Sequence, residues 1–155
     1  MKAKDLMTRA PCTCSPENSV QDVAQMMCDH DCGSVPVVEA GRVVGIITDR
    51  DLAVRGLAEG KTGSAVVRDL MTAAPQCCSE DDDVKNVERV MSDRQVRRVP
   101  IVNADGGCVG IISQADLARA AHEGLSDHEV AATLENISQP DHDPGRAQQE
   151  LRARL

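Results

Sequence analysis

After Ser19 the apolar residues Val20, Val23, Ala24 and Met27 fall at i, i+3, i+4 and i+7, the spacing of one helix face. The same rhythm returns after Asp83 in Val84, Val87 and Met91. Ser19 and Asp83 stand where an N-cap acceptor belongs. Asp81, Asp82 and Asp83 crowd the second of these starts, where the positive end of the helix dipole tolerates negative charge. The pattern then switches to two continuous apolar runs, Val35–Val38 and Val43–Thr48, on either side of Gly41, which reads as a β-hairpin. Pro36 and Pro100 cannot donate to a ladder and so belong near a strand start or on an edge. A further helix begins at Thr48 or Asp49 and ends near Gly56–Gly60. There is room for a short strand after Pro11, around Cys12–Cys14, and after Pro75, around Cys77–Cys78.

This strand, helix, hairpin, helix unit is written twice. Asp5-Leu6-Met7-Thr8 returns as Asp69-Leu70-Met71-Thr72, and Val35-Pro36-Val37-Val38 as Val99-Pro100-Ile101-Val102. Gly45-Ile46-Ile47-Thr48 returns as Gly110-Ile111-Ile112-Ser113, and Asp51-Leu52-Ala53 as Asp116-Leu117-Ala118. One extra residue enters the second copy in the Asn103–Cys108 turn. Two copies are too few for a solenoid, which needs about three or more units. They predict an α/β chain of the α+β kind, with repeats at 1–60 and 61–124 related by a pseudo-twofold axis and a cleft between them. In 125–155, Ser126 to Glu129 resembles a capping box, and Val130, Leu134 and Ile137 make one apolar face that should dock on the core or on a partner. Pro140 to Gly145 breaks that helix, and Arg146–Leu155 is a short polar tail with Leu151 and Leu155 at i, i+4.

The 155 residues are 41% apolar yet contain no Phe, Tyr or Trp, so the core is aliphatic, Met and Cys, and any base must be gripped by aliphatic walls. Binding of single-stranded nucleic acid by stacking relies on aromatic platforms, and a formal charge of −8 opposes a phosphate backbone. No nucleic-acid role is therefore expected. No apolar signal region opens the chain, and no stretch approaches the roughly 18 apolar residues of a membrane span. A cytoplasmic protein without membrane contact is expected, in which the seven cysteines are reduced thiols.

The Asp-Leu-Met-Thr segment, the Val-Pro strand and Gly-Ile-Ile-[Thr/Ser]-x-x-Asp, recurring in that order over roughly residues 3–121, resemble the CBS domain, and the pair resembles a stand-alone bacterial Bateman module. The resemblance implies two β-α-β-β-α modules packed through their sheets, with a C-terminal helical extension added here. It also implies that the cleft binds an adenosine-containing ligand, AMP, ADP or ATP among them, and reports it to a regulated partner. By the same match Asp51 and Asp116 hold ribose, Thr48 and Ser113 approach phosphate, and Ile46 and Ile111 lie against the base. Pro11–Cys12 and Pro75–Gln76 supply the other wall, with Cys12 bordering the base of the Asp51 site. Arg97 and Arg98, two and three positions before Pro100, face the site of Asp51 and Thr48; the first repeat has Gly33 and Ser34 there. Arg50 and His30 are secondary candidates.

The residue types allow plainer readings as well. Thr-x-x-Asp at a helix start is close to a capping box, adjacent arginines at a strand end can be solvated charge, and the isoleucines are also core. A helix N-terminus nonetheless offers unpaired N–H groups to phosphate, a carboxylate can receive both hydroxyls of a ribose, and the arginine fork suits phosphate. Among the cysteines, Cys28 and Cys32 are one turn apart, while Cys14 and Cys78 coincide in the repeat alignment and could meet across the pseudo-twofold. They read as structural thiols, with a redox- or metal-responsive interaction protein as the alternative function. No Cys-x-x-Cys pair has zinc-ligand spacing, and no metal is expected. His30, His122, His128 and His142 show no nucleophile-base-orienter pattern. The expected function is a non-enzymatic sensor that requires no cofactor. A homodimer is expected to cover Leu52, Leu117 and Ala121 on the second helices.

Overall fold

The computed structural model describes residues 1–121 and 125–140; His122, Gly124, His142 and the polar tail lie outside them. The chain runs through α1 (Ala3–Leu6), β1 (Thr8–Arg9), α2 (Val20–Asp29), β2 (Ser34–Glu39) and β3 (Arg42–Thr48). A helical stretch follows, α-helical over Asp49–Asp51, π-helical over Leu52–Gly56 and 3-10 over Leu57–Glu59, here called α3. Next come β4 (Thr72–Ala73), β5 (Cys78–Ser79), α4 (Val84–Arg94), β6 (Arg98–Val102), β7 (Cys108–Ser113), α5 (Gln114–Ala120) and α6 (Asp127–Ser138). Ser19 and Asp83 cap α2 and α4 through the N–H groups of Asp22 and Lys85. Gly60, with φ +71°, ends α3 in the left-handed region that glycine enters without steric cost.

Two sheets form, and each takes its outer strand from the other copy of the repeat. The β2–β3 hairpin is extended by β4, and the β6–β7 hairpin by β5 on one side and β1 on the other. Cys14 makes a single parallel bridge to Val37, so the first sheet has the counterpart of β5 as well. The reason for the exchange lies in two glycines. Gly45 of β3 pairs with Ala73, and a Cβ there would collide with the Met71 side chain. Gly110 of β7 pairs with Arg9, and a Cβ there would stand 2.7 Å from Met7 Cγ. The Asp-Leu-Met-Thr segment of each copy therefore seats its methionine on the glycine of the other copy's Gly-Ile-Ile strand.

The cores follow this exchange. Ala3 and Met7 are buried with Cys78, Val84, Val87, Met91, Val99, Ile101 and Ile112. Val67, Leu70 and Met71 are buried with Cys14, Val23, Val35, Val37 and Ile47. The units meet at their hairpin ends, where Val43 N–H donates to the Gly106 carbonyl, 3.1 Å. The extra residue of the second copy sits in that turn, closed by Gly107 N–H to Asn103 Oδ1, 2.8 Å.

Helix α6 docks on the second unit, against α4 and α5, with Val130, Thr133 and Ile137 buried and Lys85 Nζ 2.8 Å from Glu129 Oε1. It completes the cover over Leu117, which is fully buried within its own chain rather than left for a partner. Leu52 and Ala121 are half-buried against the two cores. Among the described residues the large apolar side chains left exposed on a second helix are Val54 and Leu57, the latter 78% accessible. Among the described residues no helix is long and apolar enough to cross a membrane.

Candidate functional site

Both repeats end their inner strand on a hydroxyl residue that opens the following helix. Thr48 and Ser113 have extended backbone and accept from the N–H of Asp51 and Asp116. The carboxylates answer. Asp51 Oδ2 accepts from Thr48 N–H and Oγ1–H, both at 2.9 Å. Asp116 Oδ2 accepts from Ser113 N–H at 2.7 Å and Oγ–H at 2.6 Å. The capping box is thus made in both copies, and it occupies one oxygen of each aspartate.

The second oxygens differ. Asp51 Oδ1 forms an ion pair with Arg55 Nη1 at 3.5 Å but no hydrogen bond, because Nη1 donates to the Leu70 carbonyl, 3.0 Å, and to Thr72 Oγ1, 3.4 Å. Asp116 Oδ1 accepts directly from Arg119. Asp51 therefore keeps an acceptor for a diol, whereas a diol approaching Asp116 must displace Arg119 or share with it.

Around Asp51 opens a cleft of about 1020 Å³ lined by Ile46, Thr48, Thr72, Ala74, Pro75, Gln76, Val96, Arg97 and Arg98. Arg50 and Arg94 also line it, so four arginines face two aspartates, Asp49 and Asp51, in a chain of net charge −8. The pseudo-twofold places a second cleft of about 430 Å³ around Asp116, lined by Ala10, Pro11, Cys12, His30, Cys32, Gly33, Ser34, Ile111, Ser113 and Arg119. Arg98 borders both clefts. A Cβ on Gly33 would stand 3.1 Å from Arg98 Nη2 and 2.8 Å from Asp49 Oδ2, so the missing side chain at 33 leaves the room that Arg98 takes.

The structure brings Thr48, Asp51, Ile46, Arg97 and Arg98 together, and separately Ser113, Asp116 and Ile111. Cys12 is a correction. It lies in the Asp116 cleft rather than beside Asp51, because β1 crosses to pair with β7 and carries Pro11 and Cys12 with it. Pro75 and Gln76 reach the Asp51 cleft by the same exchange through β4 and β3. The suggested meeting of Cys14 and Cys78 is a second correction, since each is buried in the core of a different unit. Burial pushes both thiols up to about 11. The close pair is Cys12 and Cys32, with 3.7 Å between the sulfurs.

Sequence patterns missed two further contributors to the clefts. Ala74 and Gln95 in the first, and Ala10 and Asp31 in the second, all adopt φ between 44° and 50°. A non-glycine residue held left-handed costs of order 1 kcal/mol and persists where the surrounding structure over-determines it. The repeated Ala-Pro at 10–11 and 74–75 was the available signal. The other contributor is α6, whose end, Ile137 to Pro140, forms part of the first cleft's wall. Among the described residues no three His, Cys, Asp or Glu gather as metal ligands.

Known proteins share this arrangement. The chain is 35% identical over 135 residues to the CBS domain-containing protein YhcV of Bacillus subtilis, covering 87% of this chain and 94% of that one. The crystal structure of CBSX2, a CBS-pair protein from Arabidopsis thaliana, in complex with AMP superposes with a TM-score of 0.69 at 28% identity, covering 79% of this chain and 96% of that one. The CBS domain pair of protein MJ0100, in complex with 5′-methylthioadenosine and S-adenosyl-L-methionine, gives a TM-score of 0.72 at 28% identity over 79% of this chain and 97% of that one. The CBS-domain model matches residues 3–56 and 67–123, one match for each copy of the repeat, and the chain belongs to the CBS-domain family.

Proposed function

We propose that the chain is a non-catalytic sensor that binds an adenine nucleotide in the Asp51 cleft and signals occupancy to a partner protein. The observation that carries this is the convergence on one cleft of a helix-start carboxylate whose Oδ1 accepts no hydrogen bond and is held only by a 3.5 Å ion pair with Arg55 and, from the other repeat, Arg97 and Arg98. Asp51 receives the ribose hydroxyls, Thr48 and the arginines face the phosphates, and Ile46 with Val96 grips the base without an aromatic platform. The AMP bound by CBSX2 and the adenosine derivatives bound by the MJ0100 pair support adenosine as the recognised part. Four arginines favour a phosphorylated adenosine over the sulfonium of S-adenosylmethionine, because like charges repel in a partly desolvated cleft. The smaller Asp116 cleft, with its carboxylate held by Arg119, is the weaker site.

Signalling follows from position. The ligand would bridge both units, and α6 reaches the same cleft with its last turn, so occupancy changes what that helix packs against. The exposed Val54 and Leu57 make the α3 face the contact of a homodimer.

The test is thermal melting and calorimetry on nucleotide-stripped protein with AMP, ADP, ATP, 5′-methylthioadenosine, S-adenosylmethionine and GMP. A ligand at 100 times its Kd adds about 2.7 kcal/mol of apparent stability. The phosphorylated adenosines should raise the Tm and GMP should not. A flat response to every adenosine compound refutes the reading.

A further inference from the structure

We infer that Cys12 and Cys32 are a covalent modification site, a dithiol in the wall of the second cleft that a peroxide closes to a disulfide. Their sulfurs are 3.7 Å apart although the residues come from different segments, Cys12 from the stretch before the Cys14 bridge and Cys32 from the turn between α2 and β2. A disulfide needs about 2.05 Å between sulfurs, so closure asks for small side-chain rotations. Both thiols are half-buried and border an open cleft beside Ile111 and Asp116, where a small oxidant can reach them.

The other five thiols are placed differently. Cys14 and Cys78 are buried in separate cores, and Cys28 is exposed on α2. Cys77 and Cys108 give their thiol hydrogens to the carbonyls of Pro75 and Gly110. The repeat equivalents of Cys12 and Cys32 are Gln76 and Val96 in the first cleft, so this chemistry belongs to the second cleft alone.

One thiolate attacks the peroxide, breaking its O–O bond to leave a sulfenic acid and release an alcohol or water. The neighbouring thiol then attacks the sulfenic sulfur, forming the S–S bond and releasing water. Two thiols lose two electrons to one peroxide. Burial and the hydrogen bond it shares with Cys32 push the Cys12 thiol up to about 11, which keeps it protonated and slow to react at neutral pH. Oxidation therefore quickens as pH rises. The bridge would fix the Cys12 wall to the Cys32 turn and alter the second cleft while sparing the Asp51 cleft, a consequence that rests on the nucleotide reading above.

The test treats the reduced full chain with hydrogen peroxide, blocks remaining thiols with N-ethylmaleimide in denaturant, and maps peptides by mass spectrometry. Digestion at acidic residues separates Cys12 from Cys32 at Glu17, Asp22 and Asp29. The expected result is loss of two of the seven thiols, a Cys12–Cys32 link reversed by dithiothreitol, and a rate that climbs with pH. Cys12→Ser and Cys32→Ser should each abolish the link; Cys14→Ser should retain it. A link between other cysteines, a link between chains, single-thiol oxidation without bridging, or no loss where free cysteine oxidises fully would each overturn the inference. The map needs no nucleotide, so its failure leaves the first-cleft reading untouched.

Discussion

Replacing Asp51 by alanine removes two things at once, and the structure separates them. Oδ2 holds the Thr48 N–H and hydroxyl at 2.9 Å, so its loss removes the carboxylate half of the α3 capping box, while Thr48 Oγ1 still accepts the N–H of residue 51. Loss of those two hydrogen bonds costs about 1 kcal/mol of fold stability, visible without nucleotide as a lower Tm. In the proposed site Oδ1 is the ribose acceptor, and losing a charge-assisted hydrogen bond costs about 1.5–3 kcal/mol, or roughly ten- to hundredfold in Kd for the adenine nucleotide. Asp116→Ala removes the same half of its capping box, but Oδ1 there already belongs to Arg119, so the high-affinity isotherm should move only a few fold. Arg98→Ala should match the affinity loss of Asp51→Ala while leaving α3 capped. The assay is titration calorimetry with ATP, ADP and AMP, beside ligand-free melting of each variant. Equal affinity losses for the two aspartates, with no loss for Arg98→Ala, would show that the ribose and phosphate assignments are wrong.

Gly110→Ala forces a Cβ to within 2.7 Å of Met7 Cγ and should destabilise by about 1–3 kcal/mol in chemical denaturation, with Met7→Ala relieving part of the cost in the double variant; a neutral single substitution would refute the seating of methionine on glycine. Glu88, 6% exposed on α4, has a buried Oε1 without a hydrogen-bond partner, and burial with Glu129 nearby raises its pKa above the ordinary glutamate value. The folded state thus prefers the protonated acid, so stability is full below the ordinary pKa and falls as pH rises through the raised one. Glu88→Gln should therefore be more stable than the parent at pH 7, by about 1 kcal/mol, with the advantage vanishing in melts toward pH 4. On the proposed homodimer, light scattering should give a dimer mass for the parent and a monomer mass for Leu57→Glu; an unchanged mass removes α3 from the interface.

Much of this protein is local and periodic, and such features are legible one segment at a time. Ser19 and Asp83 cap their helices because a side-chain oxygen one residue before the first turn meets free N–H groups whatever surrounds it. The hairpins about Gly41 and the Asn103–Cys108 turn, the two hydroxyl-Asp junctions, and the apolar face of 130, 134 and 137 follow from spacings of a few residues. Duplication also announced a cleft between the repeats and the asymmetry of Arg97–Arg98 against Gly33–Ser34, while its division into two clefts came from the structure.

Which segment serves which cleft was decided elsewhere. Nothing near Cys12 says that it faces Asp116, because that depends on β1 leaving its own repeat to seat Met7 on Gly110, a match between residues far apart in the chain. Whether Asp116 is free depends on where the long side chain of Arg119 comes to rest, and whether Leu117 needs a partner depends on α6 reaching across α4 and α5. The sequence determined the elements, their caps and their twofold order, through short-range hydrogen bonding and periodicity. Tertiary packing alone determined the exchange of outer strands, the Cys12–Cys32 pair and the unequal aspartates, since each is a contact between surfaces that exist only after the chain has closed on itself.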